Sequence, residues 1–279
     1  MRRRALRAGP SNTSVEPPRS LSPITNASMP SGSPSSRRNS QRIESSPDTA
    51  GVDDAAAVVA TLQRLGTQKT RDGMARYAIP SEKAFGIPVG TLKTLARKLG
   101  RNHNLALELW ETGWYEARML ASFLDDPVAV TSAQMDRWCR DLDNWAICDT
   151  VCFSLFDRTP HAWTKVELWS TRRAEFSRRA AFALLWGLTV HDKQADDGPF
   201  LRGLDLIERA AEDERHFVQK GVNMALRAVG KRNPELHAAA VETARRLSDS
   251  PHDGARWIGT DAFRELNSSA VRKRLAHRG

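Results

Sequence analysis

From Asp53 onward apolar residues recur every three or four positions in one segment after another, and the breaks between segments are short, which predicts an all-α chain. Acids open a helix over Asp53–Leu65, and Pro88 opens one through Leu99 that stops at Gly100. Asn104–Glu111 and Trp114–Leu124 follow, separated by Thr112 and Gly113. Thr131 and Gln134 have capping-box spacing before the helix that bears Trp138 and Cys139. Next comes DLDNWAICDTVCFSLF, from Asp141 to Phe156, read as a helix capped by Asp143 or Asn144 and ended near Asp157. Thr159 and Pro160 predict a threonine cap with proline at the first helical position, leading to Trp163 and Trp169. Ala174–Val190 is apolar nearly all round, a buried middle helix interrupted by Arg178 and Arg179. Pro199–Ala211, Arg215–Val229, Pro234–Leu247, Ala255–Leu266 and a short Ser269–His277 complete the series, with neither strand-like alternation nor a Gly-rich phosphate loop.

The helix starts at Trp114, Trp145, Phe176, Phe217 and Arg256 are separated by 31, 31, 41 and 39 residues, each followed by a second helix. That spacing predicts helix pairs stacked as a HEAT-like solenoid, an α-α superhelix, with an irregular helical bundle as the alternative. A solenoid has a concave face lined by one helix of each pair, suited to a long ligand.

Composition adds a boundary. Residues 1 to 50 are rich in Ser, Pro and Arg and hold hardly any aliphatic run, so they are expected to be a disordered basic tail ahead of a folded domain over 51–279. The same composition also resembles an organellar transit peptide. This tail carries eight Arg against three acids, which is +5 of the formal +9, so the folded part is only mildly basic. A nucleic-acid surface must therefore come from local clustering. Cys139, Cys148 and Cys152 are too few and too odd in number for a disulfide framework and read as reduced core thiols, which implies an intracellular compartment. No apolar run reaches the ~18 residues of a membrane span.

Chemistry is concentrated in two places. On the helix after Asn144, Asp149 falls one turn beyond Trp145, flanked in projection by Phe153 and Phe156. A carboxylate among aromatic rings is costly to desolvate and calls for a positive charge, either a structural partner such as Arg179 or a substrate cation. On Arg215–Val229 the polar residues fall in one arc, within which Lys220, Asn223 and Arg227 can line up along phosphates; a solvated outer face is the alternative. Gly230 is expected as a left-handed cap, Asn233 with Pro234 as the next helix start, and Lys231 and Arg232 as a cationic turn between them. Trp110, Trp138, Trp163, Trp169 and Trp186 sit on apolar faces and read as core. The His residues show no metal or triad spacing, no Ser or Cys nucleophile has a base near it in sequence, and no metal or cofactor is expected.

The runs DNWAICDTVCFSLF, EFSRRAAFALLWGL and FVQKGVNMALRAVGKRNPELHAAA, in that order and at these separations, resemble the DNA alkylation repair family of AlkD-type glycosylases, over roughly Leu62 to Leu275. The resemblance implies HEAT-like repeats whose concave face holds duplex DNA, excision of cationic alkylpurines such as 3-methyladenine and 7-methylguanine without flipping the base, and an open groove in place of a deep pocket. It makes Trp145 and Asp149 the Trp and catalytic Asp of a W-x-x-x-D motif and Arg179 the Arg of an R-A-A motif. The family's second aromatic falls at Met224, where a thioether replaces one wall of the lesion cradle but can still pack against a sugar or base. With Lys220, Asn223, Arg227, Lys231 and Arg232 as DNA contacts, the expected protein is a monomeric, monofunctional glycosylase. It is expected to be cytoplasmic and nucleoid-associated on DNA, or organellar or nuclear in a eukaryote. The rival readings are a helical-repeat DNA-binding protein without excision and a repeat scaffold for a protein partner.

Overall fold

The computed structural model describes residues 54–276, so the tail expected over residues 1–50 lies outside the described residues. Within them the chain forms fourteen α-helices and no strand. In order they are α1 (Ala55–Leu65), α2 (Gln68–Met74), α3 (Val89–Leu99), α4 (His103–Glu111), α5 (Tyr115–Leu124), α6 (Ser132–Arg140) and α7 (Trp145–Ser154). The second half runs α8 (Ala162–Ser170), α9 (Glu175–His191), α10 (Gly198–Ala210), α11 (His216–Val229), α12 (Pro234–Ser248), α13 (Asp253–Leu266) and α14 (Ser269–Ala276). No helix among the described residues is long and apolar enough to cross a membrane.

Side-chain caps set six of the fourteen starts. Asp54, Thr67, Asn102, Thr131, Asn144 and Asn233 each accept from a backbone N–H of the helix they open. α2, QKTRDGM, has no apolar period, and only its cap at Thr67 marks it in the sequence. The capping box at Thr131 is half made: its hydroxyl receives the Gln134 N–H, but the Gln134 amide turns to Asp125 at 2.6 Å. Two expected caps differ. Thr159 closes the 3-10 turn Phe156–Arg158 by donating to the Phe156 carbonyl, and α8 starts three residues later, so Pro160 is not its first residue. Gly230 is right-handed (φ −68°), not left-handed; it is glycine for space, since a Cβ there would lie 2.7 Å from Leu266 and 2.9 Å from Ala240.

The helices pack in the expected HEAT-like manner. One layer is the succession α5, α7, α9, α11, α13, each against the next, and α4, α8, α10 and α12 back it, paired with α5, α9, α11 and α13. Tryptophans fasten the layers. Trp110 stacks on Trp138 with centroids 4.0 Å apart, and Trp138, Phe156 and Trp169 continue the buried aromatic column. The polar edges of three tryptophans are met by acids of the neighbouring repeat: Trp110 Nε1 donates to Asp141 at 2.9 Å, Trp169 Nε1 to Asp136 at 2.8 Å and Trp163 Nε1 to Asp192 at 3.0 Å. Phe156, expected beside Asp149, is thereby drawn wholly into the core.

The fully buried carboxylate of Glu116 on α5 accepts from the N–H groups of Phe85, Gly86 and Ile87 at 2.8, 2.7 and 3.1 Å. It clamps the segment before α3, where Gly86 has φ +83° and a Cβ would stand 2.3 Å from the Thr67 carbonyl.

Candidate active site and nucleic-acid face

Asn144 accepts from Ala146 N and Ile147 N, which starts α7 so that Trp145 is its first residue and Asp149 follows one turn later. The half-buried indole of Trp145 donates its N–H to the Tyr77 carbonyl at 2.7 Å. Tyr77 is 49% exposed and precedes Ala78, which has φ +52° in the left-handed region. Phe153 continues the Trp145–Asp149 stripe, but its ring is taken up by Trp186 and His191 at 4.7 and 4.6 Å.

Arg179, 3% exposed on α9, supplies the cation that Asp149 calls for. Its Nε donates to Asp149 Oδ1 at 2.8 Å, its Nη2 to Oδ2 at 2.6 Å, and its Nη1 to the Phe217 carbonyl at 2.7 Å. One guanidinium thus ties α7 to α11 across α9. Burial works against its charge, but the Asp149 carboxylate outweighs it and holds the Arg179 pKa above the ordinary value. Gly221 on α11 makes room, since a Cβ there would come within 3.3 Å of Arg179 Cγ. The Asp149 side chain keeps 14% of its surface, so the pair is a planar, two-point contact at the edge of solvent. The thiols nearby are closed off: Cys148 and Cys152 lie 3.6 and 3.5 Å from the carbonyls of Phe176 and Ala180, and burial pushes Cys152 well up and Cys139 to about 12.

On α11 the expected phosphate arc meets an acidic face of α13. Trp257, Asp261 and Glu265, spaced by four, stand opposite Lys220, Asn223 and Arg227. Lys220 Nζ lies 4.5 Å from the Trp257 ring centroid, Asn223 Nδ2 donates to Asp261 at 2.9 Å, and Arg227 and Lys231 both pair with Glu265. Asn223 is 2% exposed, which puts it behind the surface that phosphates reach. Arg232 turns away: it donates to the carbonyls of Thr189 and Ala195 at 3.1 and 2.9 Å and lies over Phe200. Lys220, Met224, Arg227 and Lys231 remain at least partly exposed. Burial, with Arg227 and Arg179 nearby, lowers the Lys220 pKa against the pull of Asp261. Burial, then Lys220 and Arg179, lowers that of His216.

Tyr77, Trp257, Asp261 and Glu265 were not singled out from the sequence. The last three carry a usable signal, a four-residue period on α13 in phase with the cations of α11; Tyr77 carries none.

Comparison with the curated proteins finds none that matches. A solved structure described as belonging to a new family of proteins related to the HEAT-like repeat DNA glycosylases, with affinity for branched DNA structures, superposes with a TM-score of 0.67 at 23% identity. The alignment covers 80% of this chain and 96% of that one, a likeness of fold. The family described as DNA alkylation repair enzyme matches residues 58–266, most of the described fold and all of the helices from α7 to α13, and the chain belongs to that family.

Proposed function

We propose that this chain is a DNA glycosylase that hydrolyses the N-glycosidic bond of cationic alkylated purines in duplex DNA, with Asp149, Trp145 and Arg179 at the reaction centre. The observation that carries the reading is a carboxylate held on both oxygens by a buried guanidinium yet still partly exposed, one turn from a half-buried indole fixed by its N–H.

An N3- or N7-alkylpurine is already positively charged and leaves readily, so the enzyme's task is to stabilise the oxocarbenium-like sugar as the bond breaks. Asp149, held in place by Arg179, supplies that negative charge and orients the water that adds to the anomeric carbon. Trp145 covers the deoxyribose, excludes water and offers its face to the cation. Lys220, Arg227 and Lys231 contact phosphates, and Met224 packs against the sugar or base beside them. No lysine attacks the sugar, so the product is free base and an uncut abasic strand. The lesion is approached on an open groove with the base left in the helix, unlike most enzymes that do chemistry on a base.

The test is release of free base from duplex DNA containing 7-methylguanine or 3-methyladenine by wild type and Asp149→Asn. Because Asp149→Asn leaves buried Arg179 without its counter-charge, urea melts of both proteins accompany the assay. Release by the folded wild type alone supports the reading, and equal release by both removes Asp149 from the chemistry.

A second reading, a DNA-binding protein without excision, is favoured by Met224 in place of an aromatic and by the branched-DNA affinity of the solved relative. Tight, salt-sensitive duplex binding with no release by wild type selects it, and makes Met224→Trp the next variant.

A further inference from the structure

Trp257 plays no part in the reaction proposed above, and its setting is unusual for a surface residue. It is 37% exposed on α13, and its ring face is covered by the ammonium of Lys220 from α11. Two nearby cations are matched with carboxylates, Arg227 with Asp261 and Glu265 and Lys231 with Glu265, while Arg232 turns to the carbonyls of Thr189 and Ala195. Lys220 is matched with an aromatic face. Its neighbours one turn before and after on α11 are exposed His216 and half-buried Met224, so imidazole, ammonium and thioether share one stripe of α11, with the Trp257 ring beside its middle member.

We infer that Trp257 and Lys220 form a platform for one unpaired nucleotide of a DNA strand, distinct from the Trp145–Asp149 centre. An indole face and a mobile ammonium are what such a nucleotide requires: the base stacks on the ring, and the displaced ammonium moves to the adjoining phosphate. A fully paired duplex cannot use the ring, because both faces of each internal base are already stacked on neighbours. Unpaired nucleotides at gaps, bulges and branch points leave a face free. Asp261 and Glu265 sharpen the choice by blunting the rest of the arc toward continuous phosphate, so that stacking contributes a larger share of binding. The inference rests on the reading of this face as a DNA contact; it does not require base excision.

The test compares affinities of the full chain for three labelled DNAs of one length: a paired duplex, the same duplex with a short thymidine gap, and a three-way junction. Wild type is expected to bind the gapped and branched forms about tenfold more tightly than the duplex, the ratio expected when one base stacks on an aromatic side chain. Trp257→Ala brings that ratio close to one, whereas Trp257→Phe, which keeps a ring, retains most of it. A 5-iododeoxyuridine placed in the gap should photocrosslink to the peptide containing Trp257. If the Lys220–Trp257 contact only stabilises the helix pair, Trp257→Ala lowers the unfolding midpoint and leaves the ratio at its wild-type value, which overturns the inference. Equal wild-type affinity for all three DNAs, or a crosslink mapping elsewhere, overturns it as well. Absence of base release with the ratio intact removes the glycosylase reading alone, and absence of salt-sensitive binding to any of the DNAs removes the DNA contact itself.

Discussion

Glu265→Gln is expected to strengthen duplex binding and steepen its salt dependence. The carboxylate of Glu265 pairs with both Arg227 and Lys231, and each of the three side chains is about one-third exposed. At that exposure each pair contributes at most about 1 kcal/mol to folding, so the variant should remain folded. Neutralising Glu265 releases up to two cations toward phosphate. Each phosphate neutralised steepens the plot of log affinity against log salt by about 0.9, so two steepen it by about 1.8. Over a fourfold change, from about 200 to about 50 mM salt, the variant therefore gains about twelvefold more affinity than wild type does. Fluorescence anisotropy of an undamaged duplex across that range gives both slopes. An unchanged or shallower slope refutes the reasoning, because it means that Arg227 and Lys231 do not face DNA whether or not Glu265 holds them.

Arg179→Lys replaces a three-point guanidinium by a single ammonium that cannot grip both Asp149 oxygens and the Phe217 carbonyl; base release should fall at least tenfold with stability down by about 2 kcal/mol or more, checked by single-turnover release and urea melts. Glu116→Gln leaves one oxygen where a carboxylate received three backbone N–H groups, and urea unfolding should report a loss of about 2–4 kcal/mol. Burial, partly opposed by the hydrogen bond and charge of His191, raises Asp157 to about 6 from an ordinary 3.8. A raised carboxylate contributes stability that is fully present below its unfolded value and lost as pH rises through its folded one, so wild type should lose on the order of 3 kcal/mol between about pH 4 and about pH 7 that Asp157→Asn does not. Urea midpoints for both proteins across that window decide it, and parallel curves would remove Asp157 as the source.

How much of this was legible beforehand depends on whether the cause is local. Helices were readable because periodicity and caps act within four residues: Asn144, Thr131 and Asn233 accept from the N–H groups their positions predict. The same local geometry places Trp145 and Asp149 one turn apart. α2 was missed because it buries almost nothing of its own, and Gly230 was misread because its constraint is Leu266 and Ala240 from other helices, not its own φ.

By itself, then, the sequence determined an all-α chain of paired helices, the faces those helices carry, and the family to which its motifs belong. Tertiary structure alone decided which charges meet. Arg179 was one candidate partner for Asp149, and only the approach of α9 to α7, with Gly221 making room from α11, turns it into a two-point contact 30 residues away. Arg227 and Lys231 read as free cations until α13 brings Glu265 against them from 38 and 34 residues away. The physical reason is range: a helix's face follows from about 3.6 residues per turn, whereas an ion pair between helices follows from how two such faces are docked, which no local pattern records.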